Sequence, residues 1–162
     1  EILRCLVGSE MCIRDRADCL PVLLHDPAAG VIGAVHCGWR GSVADILGAA
    51  VAQMCALGAH PADIRAAIGP GIGACCFEVG PEVVAAAEAL LHAPLGALAR
   101  PRADGKALLD LKGVNARRLV QLGVPAGQIA VSDACTMCRP DVFWSHRATD
   151  GRRGVQAAVI TL

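Results

Sequence analysis

Tyrosine is absent, and Trp39, Phe77, Phe143 and Trp144 are the only Trp or Phe residues among 162. A base-stacking groove for single-stranded nucleic acid needs several aromatic rings in series, so that class is excluded. Excess charge is missing too: 15 Lys and Arg balance 15 Asp and Glu. That balance lacks the basic footprint of a nucleic-acid binder, and no nucleic-acid partner is expected. Long apolar runs are also lacking. A membrane span needs about 18 consecutive apolar residues, whereas the longest candidate, Val83 to Leu91, is short and carries Glu88. No membrane association is expected.

Cysteine, in contrast, is abundant. There are nine: Cys5, Cys12, Cys19, Cys37, Cys55, Cys75, Cys76, Cys135 and Cys138. The number is odd, the chain is not small and no secretory leader is visible, which argues against a secreted disulfide scaffold. The reading is a reducing cytoplasm, with several cysteines serving as small buried apolar residues. An apolar content of 54% against 19% charged residues describes a globular chain, and its length suits one domain with a proper core.

The most informative stretch runs from Ala17 to Gly41. Val22-Leu23-Leu24 and Val31-Ile32-Gly33-Ala34-Val35 are apolar runs separated by Asp26-Pro27-Ala28-Ala29-Gly30. Two such runs around an Asp-Pro and Gly turn predict a buried β-hairpin. A hairpin brings its ends together, so Cys19 and His36 are expected side by side at one edge of a sheet. Sulfur beside imidazole suits zinc or a nucleophilic cysteine. Each residue alone has a plainer reading, core filler for Cys19 and a hydrogen-bonded core residue for His36. Their joint placement favours a site. Two ligands are fewer than the three protein ligands of a catalytic zinc, so a third is expected from elsewhere. Cys37 neighbours His36 on a strand and is expected to point the opposite way.

Downstream, Ser42 is expected to cap a helix whose buried face is Val43, Ile46, Leu47, Ala50, Val51 and Met54, closed by Leu57-Gly58. Further helices are predicted from Pro81 to about Leu91 and from about Gly113 to Leu122. Strands are predicted at 64–68, 108–111, 129–132, 143–145 and 156–160, with 93–106 as surface loop. Strands and helices alternate between an opening hairpin and closing strands, which implies an α/β (α+β) single domain with a mixed sheet.

Trp39-Arg40-Gly41, just before a helix, is suited to holding an anion through the Arg40 fork; the plainer reading is a surface Arg40 stacked on Trp39. Gly69-Pro70-Gly71-Ile72-Gly73 lacks the Gly-Lys-Ser/Thr of a phosphate loop, but can form a tight active-site wall. Cys135-Thr136-Met137-Cys138 has CxxC spacing without a second pair at similar spacing, and Cys75-Cys76 reads as incidental. Asp133, Thr136 and Ser145-His146-Arg147 follow predicted strand ends and are expected to line the same cleft. His25, His60 and His92 are read as solvated residues of turns or helix ends.

Residues 1–16 differ in composition from the rest of the chain and show no clear period. Residues 6–16 resemble a translated sequencing-adapter tail that recurs at the ends of unrelated environmental gene predictions. The expectation is a non-native segment at 1–16, with 17–162 a domain lacking its amino-terminal part; a poorly ordered native terminus is the alternative.

Seven blocks occur in order: Ala-Asp-Cys-Leu-Pro-Val at 17–22, His-Cys-Gly-Trp-Arg-Gly at 36–41, Ile-Gly-Pro-Gly-Ile-Gly at 68–73, Phe-Glu-Val-Gly at 77–80, Leu-Asp-Leu at 109–111, Cys-Thr at 135–136 and Phe-Trp-Ser-His-Arg at 143–147. Together they resemble the YfiH family, also known as the polyphenol oxidase (laccase) domain family, peptidoglycan editing factors and zinc-dependent purine nucleoside phosphorylases. The resemblance implies a layered α/β/β/α sandwich with mixed sheets. It also implies phosphorolysis of adenosine, inosine, guanosine and S-methyl-5'-thioadenosine, together with adenosine deamination. The partners implied are a purine nucleoside and phosphate. Of the family's zinc ligands, the Cys of Ala-Asp-Cys and the His of His-x-Gly-Trp-Arg-Gly correspond to Cys19 and His36. The third, a His in an upstream Gln-x-His-Gly block, has no counterpart here. Arg40 is the candidate for holding phosphate, while Gly71, Thr136 and Arg147 are candidates for contacting the nucleoside. His146 stands where the family more often has Tyr. A metal-free hydrolase, with Cys19 as nucleophile and His36 as base on a cell-wall precursor, is the alternative. Copper clusters need many imidazoles, and five histidines, most of them in turns, do not furnish them.

Overall fold

The hairpin is the spine of the molecule. Strands β3 (Leu20–Asp26) and β4 (Val31–Cys37) run antiparallel, with Leu20 opposite Cys37 and Pro21 opposite His36. The computed structural model describes residues 5–8, 12–15 and 17–162. The expectation that residues 1–16 are foreign therefore falls on a segment of which two strands are described, β1 (Cys5–Gly8) and β2 (Cys12–Asp15).

β1 pairs with the outer edge of β4, and β5 (Arg65–Ile68) pairs antiparallel with β3. β9 (Ile129–Val131) then adds parallel to β5, giving the order β1-β4-β3-β5-β9. The sheet is mixed, as the alternation of elements implied. β2 and β10 (Ala157–Ile160) form a separate antiparallel ribbon. A third small sheet holds β6 (Glu78–Val79), β8 (Ala107–Leu109) and β7 (Ala99–Pro101). The stretch 93–106 was expected to be loop, yet it contains β7, whose Arg100 pairs with Leu108 across the sheet.

Side chains on a strand alternate between faces, and the hairpin uses both. Leu20, Val22 and Leu24 of β3 join Val31, Val35 and Cys37 of β4 in the core. They meet Ile46, Leu47, Ala50, Val51 and Met54 of helix α2 (Ile46–Ala56). Ile32 and Ala34, between those β4 positions, are buried as well, on the side where the β2–β10 ribbon packs against β3 and β4. A strand covered on both faces reads as a continuous apolar run, which is how β4 reads. Helices, main sheet and ribbon thus form successive layers.

Three boundaries differ from expectation for local reasons. Ser42 does not cap α2. It lies buried inside a short helix, α1 (Trp39–Val43), and its hydroxyl accepts from Asn115 Nδ2 at 3.0 Å. The cap is Asp45, which turns the chain left-handed (φ 58°) and accepts from Gly48 N; Val43, outside α2, is only half-buried. Arg118 of α4 (Leu111–Gln121) grips the same carboxylate through two bonds of 2.8 and 2.6 Å, tying the two helices together. Leu111, expected in a strand, opens α4 because Asp110 accepts from Gly113 N and so acts as its N-cap. Residues 143–145 form no strand: the Trp144 N–H is taken by the Gln156 side chain instead of a ladder partner. Helix α3 (Pro81–Leu91) falls where predicted, with Pro81 in its first turn.

The hairpin turn is locked by Asp26, whose carboxylate is 1% exposed. It accepts from Ala28 N at 2.9 Å, Ala29 N at 3.0 Å and His60 N at 2.8 Å. The hydrogen bonds from Ala29 and His60 hold its pKa below the usual carboxylate value, although burial pushes the other way. A depressed folded value means the stabilisation is full above the ordinary carboxylate pKa, near 4, and is lost as pH falls through the folded value. Asp26→Asn should therefore cost roughly 2–3 kcal/mol at pH 7, a charged acceptor being replaced by a weaker one. The gap in Tm between variant and parent should close in acid below about pH 4, as followed by thermal melts across pH.

Candidate active site at the open end of the hairpin

Cys19 precedes β3 and His36 is the penultimate residue of β4, so the register of the hairpin sets them at one end. Cys37 is fully buried on the helix side, and His36 faces the ribbon, as strand alternation requires. Gly38 shows how closely the pair converges. A Cβ built there would stand 3.0 Å from Cys19 Sγ and 3.5 Å from His36 Nε2. The missing side chain leaves one small space shared by both donors. The pair opens on a cavity of about 110 Å³, lined also by Pro21, Pro70, Phe143 and Gln156 and by the start of β10. Small-molecule sites commonly span about 300–1,000 Å³, so a cavity of this size has room for only part of such a ligand.

Gln156 is a residue that sequence reasoning missed. Its Oε1 accepts from Trp144 N at 2.9 Å, while its buried Nε2 has no hydrogen-bond partner among the described residues. A buried amide donor beside a cavity is available to an acceptor on a ligand. Nothing in the sequence marks it, because its value comes from β10 being paired beside the hairpin end.

Asp18 fixes the approach to Cys19. Its backbone is left-handed (φ 72°), a conformation Asp tolerates better than most residues. Its carboxylate accepts from Thr136 Oγ1 at 2.6 Å, Ser145 Oγ at 3.1 Å and Arg147 N at 2.7 Å. Its carbonyl accepts from Ile72 N at 2.9 Å. Thr136 and Arg147 thus meet at Asp18. Thr136 is buried there, whereas the Arg147 guanidinium reaches the Glu78 carbonyl and lies 5.9 Å from the centre of the Phe77 ring. Gly71 lies beneath this network: a Cβ there would collide with Leu20 Cδ2 and stand 3.0 Å from the Asp18 carbonyl. The glycine loop forms a wall because the backbone must pass that close.

Arg40 is exposed on α1, with its guanidinium 4.4 Å above the Trp39 ring. Among the described residues it forms no ion pair, and it does not line the cavity. Of the other histidines, His60 and His92 are exposed as expected, but His25 is a half-buried residue of β3, opposite Ile32.

The CxxC pair contradicts its sequence reading. Cys75 and Cys76 sit in a turn that folds back on Gly73, and that turn meets the loop carrying Cys135 and Cys138. The four sulfurs all lie within 4.8 Å of one another and could hold one metal ion. The second pair that a structural metal needs does exist, in vicinal rather than spaced form. Chain spacing hid it, because a turn, unlike a strand, lets neighbouring side chains converge. Burial pushes the Cys135 thiol up, but hydrogen bonds from the Gly73 and Cys138 N–H groups and neighbouring thiols outweigh it and lower its pKa to about 7. Burial, followed by the Cys138 thiol, pushes Cys75 and Cys76 up. Cys135 is therefore more readily ionised than Cys75 or Cys76.

A layered mixed α/β domain, with a Cys–His pair at the end of a central hairpin, is the class that fold and site define. A family model described as multi-copper polyphenol oxidoreductase laccase matches residues 8–162, and the chain belongs to that family. Among its relatives is "Adenosine deaminase RL5" from an unknown prokaryotic organism, 44% identical over 131 residues, covering 81% of this chain and 50% of that protein. Another is a purine nucleoside phosphorylase of Deinococcus radiodurans, 46% identical over 146 residues, covering 90% of this chain and 54% of the relative. The chain spans about half the length of these curated relatives. A crystal structure of YfiH, a hypothetical protein of Bacillus licheniformis, superposes with a TM-score of 0.91 at 36% identity, over 98% of this chain and 61% of that one.

Proposed function

We propose that this chain acts on purine nucleosides: phosphorolysis of adenosine, inosine, guanosine and S-methyl-5'-thioadenosine, and deamination of adenosine. The relatives named purine nucleoside phosphorylase and adenosine deaminase support the reading. The observation that carries it is the convergence of Cys19 Sγ and His36 Nε2 on the space left by Gly38. One sulfur and one imidazole nitrogen match the donor preferences of zinc, so Cys19 and His36 would hold it. The one cluster of three or more metal donors among the described residues lies elsewhere, so a third ligand belongs outside this pair. When bound, zinc supplies Lewis acidity, polarising an oxygen or acidifying a water.

The chain's own residues do the rest. Asp18, held by Thr136, Ser145 and Arg147, aims Cys19. Phe143 offers an apolar face to the purine, and the Gln156 amide offers a donor to a ring acceptor. Gly71 lets the glycine loop close on this floor. Arg40, fixed against Trp39, supplies the cation for phosphate beside the ribose. Among the described residues no helix is long and apolar enough to cross a membrane.

The test is turnover of adenosine with and without phosphate. Adenine and ribose 1-phosphate should form only with phosphate, and inosine should form in either condition. Absence of all three products from zinc-loaded protein overturns the reading. Arg40→Ala should lower phosphorolysis about 10–100-fold while deamination changes little, as the loss of one charge-assisted phosphate contact implies. Equal losses in both rates would remove Arg40 from a phosphate-specific role.

A further inference from the structure

We infer that Cys75, Cys76, Cys135 and Cys138 form a tetrathiolate zinc site, separate from Cys19 and His36, that clamps the active-site wall together. Tetrahedral zinc with Zn–S bonds of about 2.3 Å sets its sulfurs about 3.8 Å apart. Here Cys138 Sγ lies 3.5 Å from Cys75 Sγ and 3.4 Å from Cys76 Sγ, and all four sulfurs fall within 4.8 Å of one another. Four soft donors within reach of one ion, with no nitrogen or oxygen among them, select zinc over harder cations.

The surroundings fit a charged cluster. Cys135 Sγ accepts from the Gly73 N–H at 3.2 Å, an outer-shell contact of the kind that orients metal-bound thiolates. Lys112 is buried at 6% exposure, its ammonium fixed by the Ser132 and Ala134 carbonyls at 2.8 and 2.7 Å. It interacts electrostatically with Cys135 and Cys75. A divalent ion on four thiolates carries two net negative charges, and this buried cation offsets part of them. On binding, zinc replaces the four thiol protons, which pass to solvent; no electrons move.

The position explains the use. Cys75 and Cys76 follow the glycine loop whose Ile72 N–H meets the Asp18 carbonyl, while Cys135 adjoins Thr136, which meets the Asp18 carboxylate. A shared ion would lock both loops around the residue that precedes Cys19. The site does not depend on the nucleoside reading.

The experiment separates it from any metal at Cys19. Purified Cys19→Ser protein should retain one zinc per chain, and X-ray absorption should find four sulfurs at about 2.3 Å. Chelation should lower its Tm by about 10 °C or more and speed amide exchange across residues 135–149. Cys138→Ser should lose that zinc; should this variant fail to fold, the absorption spectrum of Cys19→Ser decides alone. A metal-free Cys19→Ser protein, iron in place of zinc, a mixed nitrogen and sulfur shell, or a disulfide joining Cys138 to Cys75 or Cys76 would overturn the proposal.

Discussion

Replacing Cys19 with Ser, or His36 with Ala, should abolish nucleoside turnover by more than about 1,000-fold, equivalent to about 4 kcal/mol of lost transition-state stabilisation. The two donors share one space beside Gly38. Serine keeps the shape of Cys19 but replaces a soft thiolate with a hydroxyl that stays protonated at neutral pH, a far weaker zinc donor. Alanine at position 36 removes the nitrogen and enlarges the cavity. Neither change touches the core face of the hairpin, which is carried by Leu20, Val22, Leu24, Val35 and Cys37. Thermal melts should therefore show folded proteins with Tm close to the parent. A variant that keeps its rate would show that the convergence has no chemical consequence.

Asp18→Ala should give the second large effect, through position rather than contact. The substitution removes the acceptor of Thr136, Ser145 and Arg147 at once. Thr136 and Ser145 are buried, so their hydroxyls would lose a charged partner without water to replace it. Alanine also tolerates the left-handed backbone of residue 18 less well than aspartate does. A loss of roughly 3 kcal/mol in stability is expected from bonds of this kind. Turnover should fall about 10–100-fold, as for other groups that orient a metal ligand. Asp18→Asn keeps an acceptor and should recover most of the stability, which separates the lost network from general damage to the loop.

The hairpin was legible because its signals are local and agree: two apolar runs, an Asp-Pro and Gly turn, and a strand buried on both faces. The helices at Ile46 and Leu111 were legible in their presence and approximate extent but not in their starts. Both caps depend on an aspartate carboxylate reaching a backbone amide, and Ser42, the expected cap, is instead bonded to Asn115 while Arg118 holds Asp45. The strand expected at 143–145 failed because its apolar pattern serves the cavity wall and the Trp144 amide is taken by Gln156. The vicinal cysteines and the CxxC pair stand about sixty residues apart, and only the parallel approach of Gly71 to Cys135 brings them together. Long-range convergence of that kind leaves no period or spacing in a single sequence. Asp18 shows the same limit: its place beside Cys19 was plain, but its three partners more than a hundred residues away were not.

Alkylation of Cys19 by iodoacetamide, read by peptide mass spectrometry with and without zinc, tests the central claim most directly. Cys19 should react in metal-free protein and be protected by zinc, and His36→Ala should abolish that protection. A rate of modification at Cys19 that zinc leaves unchanged would contradict the shared ion and favour a metal-free nucleophile in its place.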